Sequence, residues 1–325
     1  MTEWRPTSGP QVAASRAAML RRIRAHFETE SVLEVDTPAL ADSANSDMHI
    51  ESLQVTSLLS ERPLYLHTSP EYCMKRLLAA GYPDIYSICR VFRDGEAGRR
   101  HQPEFTLVEW YRKDFGLKDI IADTLKVIAK ALDTPQLVDD VALLDYRDAF
   151  MNVCGLDPAR ATIEALADVA QADSDLRRAI GDSRDDWLDL IVSSKVAATF
   201  ANDKLTVLQH YPASQAALAR VCPDDPDSAD RFEVFMGATE LANGYVELRD
   251  SDELKSRIAK EQTQRRERGL TQRAIDHKLV AALHAGLPEC AGVAMGLERL
   301  HMMHAKTDDI SDVVTFSFEV SDAQS

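Results

Sequence analysis

Apolar residues in the first thirty positions recur at helical spacing. Ala13, Ala17, Leu20, Ile23 and Phe27 share a face, with basic residues between them. The pattern predicts an amphipathic helix over 11–30, followed by a strand at 32–35 that Pro38 closes. Alternation of period two marks 86–92 and 105–112 as further strands. The charged, glycine-containing stretch 93–102 between them predicts an antiparallel pair with a long loop. Residues 117–205 are rich in Ala, Leu, Asp and Arg and poor in β-branched runs, which predicts a helical insertion. Strand-like patterns return at 232–236 and 239–248, turning at Gly237. Asp250 and Glu253 form a capping signal for a helix from about Ser251 that Gly269 closes, and a second helix is expected over about 274–285. A short Gly/Ala-rich strand at 292–296 runs into a helix holding Arg299. Strands dispersed among helices, with hairpins in place of regular βαβ units, predict an α+β fold built on a mainly antiparallel sheet flanked by helices.

Composition narrows the class. A hydrophobic content of 45% with 28% charged residues is that of a globular chain, because so much apolar surface offsets the entropy of ordering. At 325 residues there is room for one large domain or two ordinary ones. A net charge of −16 argues against broad nucleic-acid binding, which needs clustered cations for phosphate neutralisation. No uncharged apolar run approaches the ~18–20 residues that span a bilayer. The polar first eleven residues lack an apolar signal core, so a cytoplasmic protein is expected. Five cysteines without a C-x-x-C pair fit a reducing compartment better than a structural zinc site.

The most informative stretch runs from Phe92-Arg93-Asp94-Gly95-Glu96 to His101-Gln102-Pro103-Glu104-Phe105. Two antiparallel strands joined by a loop with arginines and a histidine can clamp a polyphosphate, and an aromatic face can stack a purine. Alternation puts Phe105, Leu107, Glu109 and Tyr111 on one face, which would set an ammonium site beside a base site. Taken alone, the same residues also suit a solvated hairpin with surface ion pairs. Cys73 and Cys89 read as filler. His301 and His304 lack a third ligand, and the acidic run 224–230 reads as a solvated loop.

Arg93, His101 and Phe105 resemble motif 2 of class II aminoacyl-tRNA synthetases. The helix 11–30 with its strand and Pro38 resembles motif 1, the dimer element, and Gly296-Leu297-Glu298-Arg299 resembles motif 3. Thr68-Ser69-Pro70-Glu71, Met74-Lys75-Arg76-Leu77 and the run Glu240-Leu241-Ala242-Asn243-Gly244-Tyr245-Val246-Glu247-Leu248 are similar to the lysyl-tRNA synthetase subgroup. About ten residues precede motif 1, so a single catalytic domain over 1–325 without an anticodon-binding OB-fold is expected. In this respect, and in His-Tyr-Pro-Ala-Ser-Gln at 210–215, the chain resembles the stand-alone paralogues that attach (R)-β-lysine to elongation factor P.

The resemblance implies a homodimer that activates (R)-β-lysine, or lysine, with ATP and Mg²⁺ and passes it to a lysine of elongation factor P. Transfer RNA is not expected as the acceptor. By resemblance, Arg93 holds the substrate carboxylate and α-phosphate, and His101 meets the polyphosphate. Phe105 and Arg299 enclose adenine, and Glu233 and Glu240 take Mg²⁺. Glu247 and Tyr111 surround the side-chain ammonium and Ser69 and Glu71 the other amine, while Glu109 and Asn243 line the pocket. An odd separation puts Glu240 and Asn243 on opposite faces of an unbroken strand. A bulge at 242–244 is therefore expected, in preference to a helix.

Three positions depart from the family pattern. Gly95 replaces a glutamate and Glu298 an aspartate, and Ala294 stands where the lysyl enzymes carry glycine, adding a methyl beside the substrate's α-carbon. A ligase with a different amine, carrier-protein or RNA acceptor, and a non-catalytic amino-acid-binding paralogue, are the rival readings.

Overall fold

The computed structural model describes residues 4–48, 50–273 and 275–318. In chain order it contains α1 (Pro10–Thr29), β1 (Leu33–Glu34), β2 (Leu40–Ala41), β3 (Gln54–Val55), β4 (Leu64–Leu66), α2 (Glu71–Ala79), β5 (Ile85–Phe92) and β6 (Glu104–Lys113). Next come α3 (Leu117–Leu132), β7 (Ala142–Asp145), α4 (Tyr146–Cys154), α5 (Ile163–Val169), α6 (Ser174–Ile180), α7 (Arg184–Ile191), β8 (Leu205–Pro212), β9 (Val221–Cys222), β10 (Asp225–Met236) and β11 (Thr239–Val246). The chain continues through α8 (Ser251–Glu267), α9 (His277–Gly286), β12 (Cys290–Gly296) and α10 (Leu297–Ala305). Two compact units result. One takes its described residues from Met1–Phe115, Val127–Thr134 and Arg249–Ser325, the other from Gly116–Lys126 and Pro135–Leu248.

In the first unit, β1 lies parallel to β5, and β5, β6 and β12 follow antiparallel. The apolar stripe of α1 explains its place: Phe27 stacks on Tyr86 at 4.3 Å and tilts against Trp110 at 5.5 Å, and all three are buried. Tyr86 and Trp110 pair across β5 and β6, so α1 covers one face of this sheet. Residues of opposite parity, Phe105, Leu107, Glu109 and Tyr111, share the other face. A small sheet in the order β2-β4-β3 and the helices α2, α8 and α9 complete the unit.

The second unit pairs β11, β10 and β8 antiparallel and β8 with β7 parallel; β9 joins β10. Trp187, Phe150, Tyr146 and Ile191 of the helical segment form a core with Leu208 and Phe235. The expected insertion is mainly helical but includes β7, whose short Leu-Leu centre carries too little pattern to identify as a strand. The acidic run 224–230 is not a loop: β10 begins at Asp225, and Asp230 is buried with Arg220 at 2.6 Å. An ion partner ten residues upstream makes that burial tolerable. Gly237 turns β10 into β11 at φ +57°, and a Cβ there would meet Asn202 Oδ1 at 2.1 Å, so a larger residue would have to displace the Asn202 side chain and hold a left-handed backbone.

His210 has a left-handed backbone, φ 57°, and its Nδ1 lies 2.9 Å from Asp145 Oδ2. Asp145 also caps α4 by accepting from the Arg147 amide at 3.1 Å. The hydrogen bond to Asp145 raises the His210 pKa above its ordinary value. A raised pKa contributes stability that is complete below the unfolded value of about 6.5 and is lost as pH rises through the folded value. The melting-temperature gap between wild type and His210→Asn, whose side chain tolerates this backbone, is therefore larger at about pH 5.5 than at about pH 8.5. Thermal melts at both pH values check it; an equal gap contradicts a stabilising role for the His210–Asp145 hydrogen bond.

Candidate active site

In the first unit Phe105, Glu109, Tyr111 and Ala294 share the sheet face that α1 leaves open, with Arg93 over Phe105, whereas the cavity that Ser69 lines includes none of these residues. Arg93 follows β5, and its guanidinium sits over the Phe105 ring with Cζ 5.0 Å from the centroid. Its Nη1 is 3.6 Å from Glu96, while its buried Nε has no hydrogen-bond partner among the described residues. Arg299 Nη2 donates to His101 Nε2 at 2.6 Å. The stem of Arg299 passes over Gly296, where a Cβ would lie 3.9 Å from Cδ. A planar cation beside an aromatic face, next to a His–Arg pair, can hold a purine nucleotide and its phosphates.

Two residues further into β6, the Tyr111 hydroxyl donates to Glu109 Oε1 at 2.8 Å, and both side chains are buried. The β6–β12 register sets Ala294 directly opposite Glu109 and Gly292 opposite Tyr111. This end of the face offers a carboxylate and a phenol for an ammonium group, with one methyl as its neighbour. Glu71 opens α2, and its Oε1 accepts from the buried Lys75 Nζ at 2.7 Å. Ser69 lines a cavity of about 390 Å³ with Asn45, Thr68, Tyr72 and Arg76.

The second unit carries the other predicted residues. Between Val234 and Phe235 the β10–β11 register shifts, so that Phe235 faces Glu240, Val234 faces Ala242 and Glu233 faces Asn243. Leu241 is the extra residue. The expected bulge exists one position before its predicted place, and it brings Glu233, Glu240 and Asn243 to one face. Glu247 continues on that parity and is buried. Burial and the carboxylate of Glu240 push the Glu233 pKa up to about 7, against the lowering influence of Arg231. Arg231 donates to Glu233 Oε1 at 2.7 Å, to Asn243 Oδ1 at 3.3 Å and to the Gln215 carbonyl at 2.6 Å, and lies over Tyr211.

Two repelling, half-buried carboxylates fit a hard divalent cation, whose charge relieves the repulsion that helps raise Glu233. No cluster of three His, Cys, Asp or Glu ligands exists among the described residues, so phosphate oxygens and water would complete such a sphere.

Several residues of the site were not anticipated. Arg231 shares the parity of Glu233, two positions away, which was an available signal. Glu96 and Lys75 stand at i+3 and i+4 from Arg93 and Glu71. Gly95 adopts φ +76°, a conformation that a glutamate would hold only with strain, which accounts for glycine at that departure from the pattern. Cys89 behaves as filler: burial and the nearby Glu109 push its thiol up to about 12, so it stays protonated.

The model of the family "tRNA synthetases class II (D, K and N)" matches residues 3–319. A protein of Sodalis glossinidius called elongation factor P–(R)-β-lysine ligase is 39% identical over 321 residues, covering 97% of this chain and 98% of its own. Proteins of the same name from Avibacterium paragallinarum and Pseudoalteromonas translucida are 38% and 40% identical, each over 322 residues. The first covers 98% of both chains, the second 96% of this chain and 97% of its own.

Proposed function

Because the chain belongs to the class II tRNA synthetases of the aspartyl, lysyl and asparaginyl type, we propose that it joins (R)-β-lysine to the ε-amine of a lysine on elongation factor P at the expense of ATP. Relatives of that name along nearly the whole chain support the reading. The observation that carries it is the register of β6 and β12, which sets Ala294 against the Glu109–Tyr111 pair.

A carboxylate oxygen of (R)-β-lysine attacks the α-phosphorus of ATP. The bond from that phosphorus to the bridging oxygen breaks, pyrophosphate leaves, and a mixed anhydride with AMP remains. Arg93 holds the attacking carboxylate and the α-phosphate, so charge accumulating on the equatorial oxygens meets a fixed cation. Phe105 and Arg299 enclose adenine, and His101 with Arg299 orders the polyphosphate. By resemblance, Tyr111 in the first unit and Glu247 in the second each take a role toward the side-chain ammonium, Ser69 with Glu71 one toward the second amine, and Glu109 and Asn243 roles in the walls. Glu233 and Glu240 would hold Mg²⁺, which when bound supplies charge neutralisation at the phosphates. The acceptor amine then attacks the activated carbonyl carbon, the carbon–oxygen bond to AMP breaks, and the amide forms as the nitrogen gives a proton to water. Positioning and fixed charge are the means; no protein nucleophile enters.

Two copies are expected to pair through α1, where exposed Ala13 and Ala17 line a groove of about 610 Å³ with residues 313–318. Light scattering giving a monomer at micromolar concentration would remove the dimer.

β-Lysine-dependent exchange of pyrophosphate into ATP tests activation, and the mass of elongation factor P after incubation with ATP and (R)-β-lysine tests transfer. A gain of one β-lysyl group is expected. Exchange with an unchanged mass moves the reading to another acceptor, and absence of exchange removes it. Ala294→Gly is expected to raise the kcat/KM ratio of α-lysine over (R)-β-lysine about tenfold, as one methyl in a pocket can do. An unaltered ratio removes Ala294 from substrate choice.

A further inference from the structure

The antiparallel ladder between β6 and β12 ends at the pair Leu107–Gly296, because the chain turns there into α10. The next inward-facing donor on β6, the amide of Thr106, has lost its strand partner. Thr106 is buried, and an orphaned amide in such a place is costly. Glu298, in the first turn of α10, supplies the acceptor: its Oε2 lies 2.8 Å from the Thr106 nitrogen. Its other oxygen lies 3.4 Å from Arg16 Nη2 of α1, and the same nitrogen donates to Thr106 Oγ1 at 2.7 Å. Arg90 of β5 approaches that oxygen at 3.8 Å. The Glu298 side chain is 5% exposed, so its charge has been withdrawn from water and given to these partners.

Thr106 follows Phe105, and Glu298 precedes Arg299. The two residues assigned to the faces of adenine are thus each one position from the two ends of a single buried hydrogen bond. We propose that Glu298 is a positioning residue that fixes the separation of Phe105 and Arg299, and so governs affinity for the adenine nucleotide while the amino-acid pocket is left alone. Glu109, Tyr111 and Ala294 lie further along β6 and β12, where the ladder is intact, so they do not depend on this carboxylate. The aspartate of the family pattern is one methylene shorter. The glutamate here reaches the β6 amide from the second position of the helix and still meets α1. The inference rests on the nucleotide roles of Phe105 and Arg299 given above.

The test is pyrophosphate exchange with the full chain, as wild type, Glu298→Ala, Glu298→Gln and Glu298→Asp, with thermal melts alongside. Loss of a charge-assisted hydrogen bond next to a binding residue corresponds to about a tenfold effect. In Glu298→Ala the KM for ATP is expected to rise about tenfold, with the KM for (R)-β-lysine within about twofold of wild type. Glu298→Asp is expected to recover most of the ATP affinity. If the alanine variant does not fold, Glu298→Gln decides, since it keeps the shape and one acceptor and loses the charge facing Arg16. A rise in its ATP KM of about threefold at constant amino-acid KM supports the inference. An unchanged ATP KM in a folded variant, or equal rises in both KM values, overturns it while leaving the ligase reading intact. A wild-type enzyme without exchange overturns both.

Discussion

Replacing Arg93 with methionine is expected to lower β-lysine-dependent pyrophosphate exchange by about 10²–10³-fold, the usual loss when one fixed donor to developing charge is removed. The local chemistry separates function from folding. The guanidinium contacts Glu96 at 3.6 Å and lies over Phe105, but its buried Nε has no partner among the described residues. A group held with donor capacity to spare is arranged for a ligand, and methionine preserves most of its packing against the ring. The melting temperature should therefore change little. Arg93→Lys keeps the charge but loses the planar fork that meets carboxylate and phosphate together, so it should fall between the two. Exchange within about threefold of wild type in Arg93→Met would remove the assigned role.

Arg231→Met is expected to act on both stability and metal use. Arg231 is the cation that Glu233 touches at 2.7 Å, and it also ties down Asn243 and the Gln215 carbonyl. Without it, Glu233 loses its cation beside the repelling carboxylate of Glu240, and breaking a largely buried pair of this kind costs about 3–5 kcal/mol. The Mg²⁺ concentration for half-maximal exchange should rise about tenfold, because Glu233 loses the group that orients it. Arg231→Lys should restore part of both effects, since it keeps the charge without the three-way geometry. A lowered melting temperature with an unchanged Mg²⁺ requirement would make Arg231 structural only.

Long elements with a sustained period were legible. The α1 helix, the alternation of β5 and β6, and the Gly237 turn appear where the sequence places them, although of the α1 stripe only Ile23 and Phe27 are buried, while Ala13 and Ala17 stay exposed. Phe105, Glu109 and Tyr111 could be set on one face from parity alone, whereas Arg93 was assigned by its resemblance to motif 2. Legibility failed where partners are distant in sequence. Asp230 looks solvated until Arg220 is seen beside it, and β7 is too short to carry a pattern of its own. The bulge was forced by the odd spacing of Glu240 and Asn243, yet its exact seat at Leu241 depends on how β10 pairs with β11. Arg231 and Lys75 stand two and four positions from Glu233 and Glu71, so their pairing was legible from spacing and only the depth of Lys75 was not. Glu298 was noticed only as a departure, because its role lies in an unpaired amide nearly two hundred positions away.

The pairing of β6 with β12 also bears on the order of synthesis. Residues 107–113 leave the ribosome long before 290–296, and the whole of 116–126 and 135–248 is made between them. During that interval β6 carries an open edge flanked by Val108 and Trp110, which are fully buried in the finished protein. Such an edge is a template for wrong pairing in a nascent chain. The nucleotide face therefore closes only when the last strand arrives, and fragments that stop before residue 290 are expected to be the aggregation-prone species during expression.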